Sequence, residues 1–211
     1  QETNQNQEAP VFSNAVLGTG LLVVGDVHGK VDSYWKILQK HKGRSIQVGD
    51  FGFKKQHEWH LKNIDCTQHK INFGNHDDYT YLSHQHSLSN FSISTSGLMT
   101  IRGAFSIDKA YRTENVDWWA NEELNYEEMQ QAIDFYTFNK PSVVISHDCP
   151  DYIRRYLFGI REKSITSNGL QSMFEIHQPD VWLFGHHHKS KNEVINGTRF
   201  ICLSELETLL L

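Results

Sequence analysis

Five short segments of this chain carry side chains suited to holding metal ions: Asp26 and His28 in GDVHG, Asp50 in GDFG, Asn75 and His76 in GNHD, His147 in SHDCP, and His186 and His188 in GHHH. Imidazole nitrogens mixed with carboxylate oxygens and one amide oxygen suit borderline first-row ions: manganese, iron, zinc or nickel. The set lacks the thiolates of a structural zinc site and the all-oxygen shell of a calcium site, so it points to catalysis rather than to structural support. There are more donors than one tetrahedral ion uses, and a carboxylate such as Asp50 can place one oxygen on each of two ions. Two ions roughly 3.5 to 4 Å apart clamp a phosphoryl group and generate hydroxide near neutral pH.

Each segment directly follows a short apolar run: LLVV at 21–24, SIQV at 45–48, KINF at 70–73, VVIS at 143–146 and VWLF at 181–184. Buried strands hold their ends rigid, and loops beyond the carboxyl ends of an α/β sheet converge on one crevice. The strand ends are therefore expected to act as ligand posts. Between them, residues 31–43 space Tyr34 or Trp35 with Ile37 and Leu38 as a helix does, ending at Gly43, and residues 54–64 read as another helix. Asn125 followed by Glu128 opens a helix through about Phe138 that Pro141 closes, and Asn168 to Gln178 forms the helix leading to VWLF. Two hairpins are predicted, FSIST with LMTI across Ser96-Gly97, and EVI with TRFICL across Asn196-Gly197. The expected architecture is α/β: a two-sheet β-sandwich flanked by helices, one domain over residues 11–211 after a polar, disordered tail at 1–10.

The ordered set GDVHG, GD, GNHD, a lone His after a strand, and GHxH resembles the calcineurin-like metallophosphoesterases from about residue 21 to about residue 201. The resemblance implies that Asp26, His28, Asp50 and His188 hold one metal and that Asp50, Asn75, His147 and His186 hold the second. It implies that His76 is no ligand but contacts the phosphate and protonates the leaving oxygen, with Asp77 orienting or charge-stabilising its ring. The Ser/Thr protein phosphatase branch carries GDxxDRG and ends its third motif with Glu, whereas this chain reads GDFGFKKQ and GNHD. What this leaves resembles the smaller bacterial and phage-type members, a likeness to which RGAFSID at 102–108, DWWANEEL at 117–124 and NGTRFICLSELE at 196–207 add. The expected function is that of a phosphoester hydrolase using a metal-bridging hydroxide, first a phosphodiesterase acting on nucleotides or nucleic-acid ends. Alternatives are a phosphomonoesterase or protein phosphatase, and, further off, a noncatalytic metal-binding scaffold. All eight expected positions are filled, which argues against lost chemistry. Manganese is the first choice of metal, with iron, zinc or nickel behind it.

Composition bounds the rest. Among 211 residues, 38% hydrophobic and 21% charged content is that of an ordinary globular chain, and no apolar run is long enough to span a bilayer. A net charge of -5 disfavours a strong nonspecific grip on nucleic-acid backbones. Cys66, Cys149 and Cys202 show no CxxC spacing, which fits a reducing, cytoplasmic setting. The DFG at 50–52 lacks the Gly-rich loop and HRD of a kinase. Of the thirteen histidines, His41, His57, His60, His69, His84, His86 and His177 are expected on the surface or in loops. Alternation along an extended segment should turn His187 away from the metals. Arg102, Arg112, Trp118 and Trp119, and Arg154, Arg155 and Arg161 further on, are candidates for substrate contact. Core packing for the tryptophans and solvation for the arginines are the simpler expectations.

Overall fold

The computed structural model describes residues 20–211; the tail expected at 1–10 and the start of the fold expected near Val11 lie outside the described residues. Short strands and helices alternate at first: β1 (Leu22–Val24), α1 (Val31–His41), β2 (Ser45–Gln47), α2 (Glu58–Lys62) and β3 (His69–Ile71). Helix α1 buries Val31, Tyr34 and Leu38, an i, i+3, i+7 stripe, and stops at a left-handed Lys42, one residue before Gly43. The segment expected as one helix at 54–64 divides into a 3-10 turn at Lys55–His57 and the five-residue α2. His57 causes the division by bonding the Gly52 carbonyl through Nδ1 at 3.0 Å, which pins the turn to the preceding loop.

The second half holds the hairpin β4 (Phe91–Ile93) and β5 (Leu98–Ile101), then α3 (Tyr126–Asn139), β6 (Val143–Ser146), α4 (Asp151–Phe158), α5 (Ile165–Ile176) and β7 (Val181–Phe184). A second hairpin, β8 (Lys191–Ile195) with β9 (Thr198–Cys202), and then β10 (Thr208–Leu210) complete the chain. Asn196 and Gly197 turn the hairpin at φ of 49° and 83°, the paired left-handed geometry that a two-residue loop needs. Asn125 and Glu128 cap α3 reciprocally. Helix α5 starts one turn before the expected Asn168. Ser164 accepts from the Ser167 N–H at 3.1 Å, and the distant Glu123 accepts from the Thr166 N–H at 2.8 Å, so its first amides are satisfied by a tertiary contact no local pattern shows.

The strands form a four-stranded sheet in the order β10-β1-β2-β3 and a six-stranded sheet in the order β4-β5-β6-β7-β9-β8. Pairings β1 with β2, β2 with β3, β5 with β6, β6 with β7 and β7 with β9 are parallel, and the outer strands β10, β4 and β8 are antiparallel. Side-chain alternation divides each strand between two cores. On β7, Val181 and Leu183 meet Val23 and Val48 of the other sheet, while Trp182 and Phe184 pack under the helices with Met129, Leu170 and Phe174. Both faces of β1, β6 and β7 are covered, which is why these strands read as nearly unbroken apolar runs. Each such buried side chain contributes about 1.5–3 kcal/mol. The architecture is the α/β sandwich flanked by helices. No helix among the described residues is long and apolar enough to cross a membrane.

Candidate metal centre

The carboxyl ends of β1, β2, β3, β6 and β7 deliver Asp26, Asp50, Asn75, His147 and His186 to one place. One donor atom from each of Asp26, His28, Asp50 and His188 lies within 4.8 Å of the others, and the same holds for Asp50, His147 and His186. Asp50 belongs to both groups. His28 Nε2 is 3.5 Å from Asp26 Oδ2 and 3.9 Å from Asp50 Oδ2; His188 Nε2 is 3.3 Å from Asp26 Oδ2; His147 Nε2 is 3.2 Å from Asp50 Oδ2. His28, Asp50, His186 and His188 all take positive φ, at 48°, 57°, 66° and 52°, a costly conformation for residues with a Cβ. Closeness of approach explains the glycines: a Cβ on Gly74 would stand 2.2 Å from Asp50 Oδ1 and 2.5 Å from His147 Nε2.

Backbone amides hold one oxygen of each aspartate and leave the other bare. Asp50 Oδ1 accepts from the His76 N–H at 2.8 Å and Asp26 Oδ1 accepts from the His186 N–H at 3.2 Å. Asn75 Nδ2 donates to Ser106 Oγ at 3.0 Å, and Ser106 in turn donates to the buried Glu122, which fixes the amide with its oxygen outward. The consequence is a set of sealed atoms without hydrogen-bond partners: Asp26 Oδ2, Asp50 Oδ2, Asn75 Oδ1 and both ring nitrogens of His147. Orphaned buried polar atoms are costly, and these carry the donor chemistry that a divalent cation satisfies. The residues present therefore fit a metal.

Electrostatics agree with that reading. Burial opposes ionisation of Asp26, but the His188 and His28 imidazoles beside it hold its carboxyl down at about 2, and the His147 charge holds Asp50 well below the usual carboxylate range. Burial, helped by the His187 and His147 charges nearby, holds His186 down at about 3, which leaves it neutral and ready to ligate. For His147 burial works downward, yet the Asp50 carboxylate beside it lifts the imidazole to about 9. Asp77 is lifted to about 7, first by burial and then by the Asp50 charge.

Both latter groups keep their proton to higher pH in the folded chain than in the unfolded one, so metal-free stability falls as pH rises. The loss runs from 3.8 to about 7 for Asp77 and from 6.5 to about 9 for His147. Cations bound here would neutralise Asp50 and would be held best when the imidazoles are deprotonated. The melting midpoint of chelator-treated protein is expected to drop between about pH 6 and about pH 9, and the gain on adding manganese to widen over the same interval. Thermal scans with and without metal read both; a gain that narrows with pH contradicts it.

The structure sets three sequence readings right. Asp77 makes no bond to the His76 ring: it is fully buried, and its oxygens accept from the Gly52 and Gly74 N–H groups at 2.7 and 2.8 Å. The ring instead has Arg112 Nη1 at 3.0 Å from Nδ1, a partner 36 residues away. A guanidinium only donates, so Nδ1 accepts and the ring proton sits on Nε2. Arg154, expected to be solvated, is 2% exposed, because Asp151 binds it at 2.7 Å and the Glu162 carbonyl closes over it. His57, expected on the surface or in a loop, is buried in the 3-10 turn; His86 does lie in a loop but is buried there, with the His69 and Leu61 carbonyls at 2.9 and 3.0 Å from its two ring nitrogens. Arg102 is a buried tie between Asn90 and Asn121, Trp119 packs in the core beneath the smaller sheet, and Arg155 pairs with Asp151. His187 belongs to neither metal-facing group that contains Asp50, but it lines the cavity beside them and bonds Asp148. Asp148 was readable as the residue after His147 in SHDCP, though nothing local tied it to His187.

The sequence matches the calcineurin-like phosphoesterase family over residues 20–190, and the chain belongs to that family of metal-dependent phosphoesterases. Its fold is similar to that of a protein assigned as a 5′-nucleotidase from Staphylococcus aureus, solved with α-ketoglutarate, at a TM-score of 0.55 and 15% identity, covering 88% of this chain and 48% of that one. It is similar also to phosphopantetheinyl hydrolase from Mycobacterium tuberculosis, at a TM-score of 0.50 and 11% identity, covering 88% and 89%. This chain spans about half the length of the Staphylococcus protein, and at such identities the likeness is one of fold. No curated protein matches the sequence.

Proposed function

We propose that the chain is a two-metal phosphodiesterase acting on nucleotide or nucleic-acid phosphoesters, with manganese as the first choice of ion. Asp26, His28, Asp50 and His188 would hold one ion, and Asp50, Asn75, His147 and His186 the other. Bound there, the pair would supply an activated water and neutralise charge gathering on the phosphoryl oxygens. The protein's own part is positional. The His76 amide and the Ser106–Glu122 chain aim Asp50 and Asn75, and Asp77 ties the Gly52 and Gly74 loops together beneath them. His76, its Nδ1 taken by Arg112, presents Nε2–H to the leaving oxygen. The free thiols of Cys66, Cys149 and Cys202 support the reducing, cytoplasmic setting of the same reading.

The observation that carries the diester choice is the state of the arginines. A monoesterase needs a free cationic clamp for a terminal dianion. At this site Arg112 is bound bidentately by Asp108 at 2.7 Å through both contacts, and Arg154 is bound by Asp151. His188, with its side chain 53% exposed, leaves the other flank of the centre open. Metal-stripped protein reloaded with manganese, nickel, zinc or magnesium should cleave bis-p-nitrophenyl phosphate faster than p-nitrophenyl phosphate. Preference for the monoester would shift the reading to a phosphatase, and inactivity with every metal would favour a noncatalytic scaffold.

A further inference from the structure

Asp148, next to the metal-facing His147, belongs to no part of the chemistry above, yet its buried carboxylate has three donors. His187 Nε2–H lies at 3.0 Å, Ser167 Oγ–H at 2.7 Å and the Cys149 N–H at 2.8 Å. The His187 ring also stacks on Phe158 of α4, with centroids 4.0 Å apart and planes within 17°. Its side chain is 3% exposed. An imidazole held at one nitrogen and along one face has a fixed orientation, and its Nε2 proton is committed to an acceptor-only group. Nδ1 has no hydrogen-bond partner among the described residues, and it is not one of the sealed polar atoms.

His187 lines a cavity of about 400 Å³ that it shares with Asn75, His76 and His188. That is more room than a phosphoryl group needs and within the range of small-molecule sites. Ile107, 66% exposed, and Ile160, half-buried, line the same cavity from two separate loops, one after β5 and one after α4. Apolar side chains beside a polar metal centre stay wet until something apolar covers them. The one arginine on its lining, Arg154, is already taken by Asp151, and Asp108 lines it as well as Lys189.

We infer that this cavity is the subsite for the ester group of the substrate and that His187 reads it, selecting an alcohol that offers a hydroxyl to Nδ1 and an apolar body to Ile107 and Ile160, as a nucleoside does. The inference rests on the phosphodiesterase reading above. His187 is thereby a specificity-determining residue, Asp148 and Phe158 the groups that position it.

Two esters with one leaving group test it: the p-nitrophenyl ester of thymidine 5′-phosphate, and methyl p-nitrophenyl phosphate, which has nothing to fill the cavity. With manganese-loaded enzyme, kcat/KM should favour the thymidine ester by about tenfold or more. His187→Ala should cut that ratio by about tenfold. Ile107→Ser, a change at an exposed position, supplies a second reading should His187→Ala fail to fold, with the ratio falling several-fold. Equal kcat/KM for the two esters in the wild type, or an equal loss on both in His187→Ala, overturns the inference and leaves the phosphodiesterase reading standing. Cleavage of neither ester defeats that reading instead. Calorimetric titration of thymidine into the manganese-loaded protein then decides the cavity: weaker binding by His187→Ala supports it and unchanged binding overturns it.

Discussion

Asp50→Asn is expected to strip both ions from the protein and to lower turnover on the order of 10³-fold or more, the scale of losing two-metal activation altogether. Asp50 is the residue common to both donor groups, and its Oδ2 is sealed without a hydrogen-bond partner. The asparagine keeps the shape and still offers an oxygen to the His76 N–H, so the loop has no reason to collapse. What it removes is the charge that two cations share and that lifts His147. Metal content by elemental analysis, set beside His188→Ala and His186→Ala, makes the comparison sharp. Each of those belongs to one group and should cost one ion. An Asp50→Asn protein that retains two ions per chain would sink the bridging role.

His76→Ala should behave in the opposite way, keeping both ions and losing about 10²- to 10⁴-fold in kcat. His76 lies outside both donor groups, and only its backbone N–H serves Asp50, a contact alanine preserves. Arg112→Ala should reproduce part of the loss, because the guanidinium 3.0 Å from Nδ1 sets which nitrogen carries the proton. Arg112→Lys should recover little: the two contacts to Asp108 depend on a planar fork that an ammonium lacks. Metal loss in His76→Ala equal to that in Asp50→Asn would refute this division of labour. A leaving group as good as p-nitrophenolate needs less help than an alkoxide, so the His76→Ala deficit should grow with leaving-group pKa.

The metal-facing residues were legible because each sits within a few positions of the strand that carries it. Asp26, Asp50, Asn75, His147 and His186 follow apolar runs directly, and a rigid strand end transmits position over so short a distance. His28 and His188 lie only two residues further along. The sandwich was legible for a related reason: central strands covered on both faces, β1, β6 and β7, are nearly all apolar. The alternation argument for His187 was less sound. It assumes extended backbone, whereas GHHH lies beyond β7 and carries φ of 66° at His186 and 52° at His188. The ring does turn from the two metal-facing groups, but toward Asp148 and the edge of the cavity.

By itself, then, the sequence determined which candidate donor atoms gather at the strand ends and which strands post them there, since those relations are local and written in neighbouring residues. Only the tertiary structure decided what surrounds them. Arg112 rather than Asp77 holds the His76 ring, Glu122 steadies Asn75 through Ser106, and Asp148 fixes His187 across 39 residues. Each of these contacts joins segments that the two packed sheets bring together. A hydrogen bond is satisfied by whichever donor arrives at about 3 Å, and residue type alone does not say which one that will be.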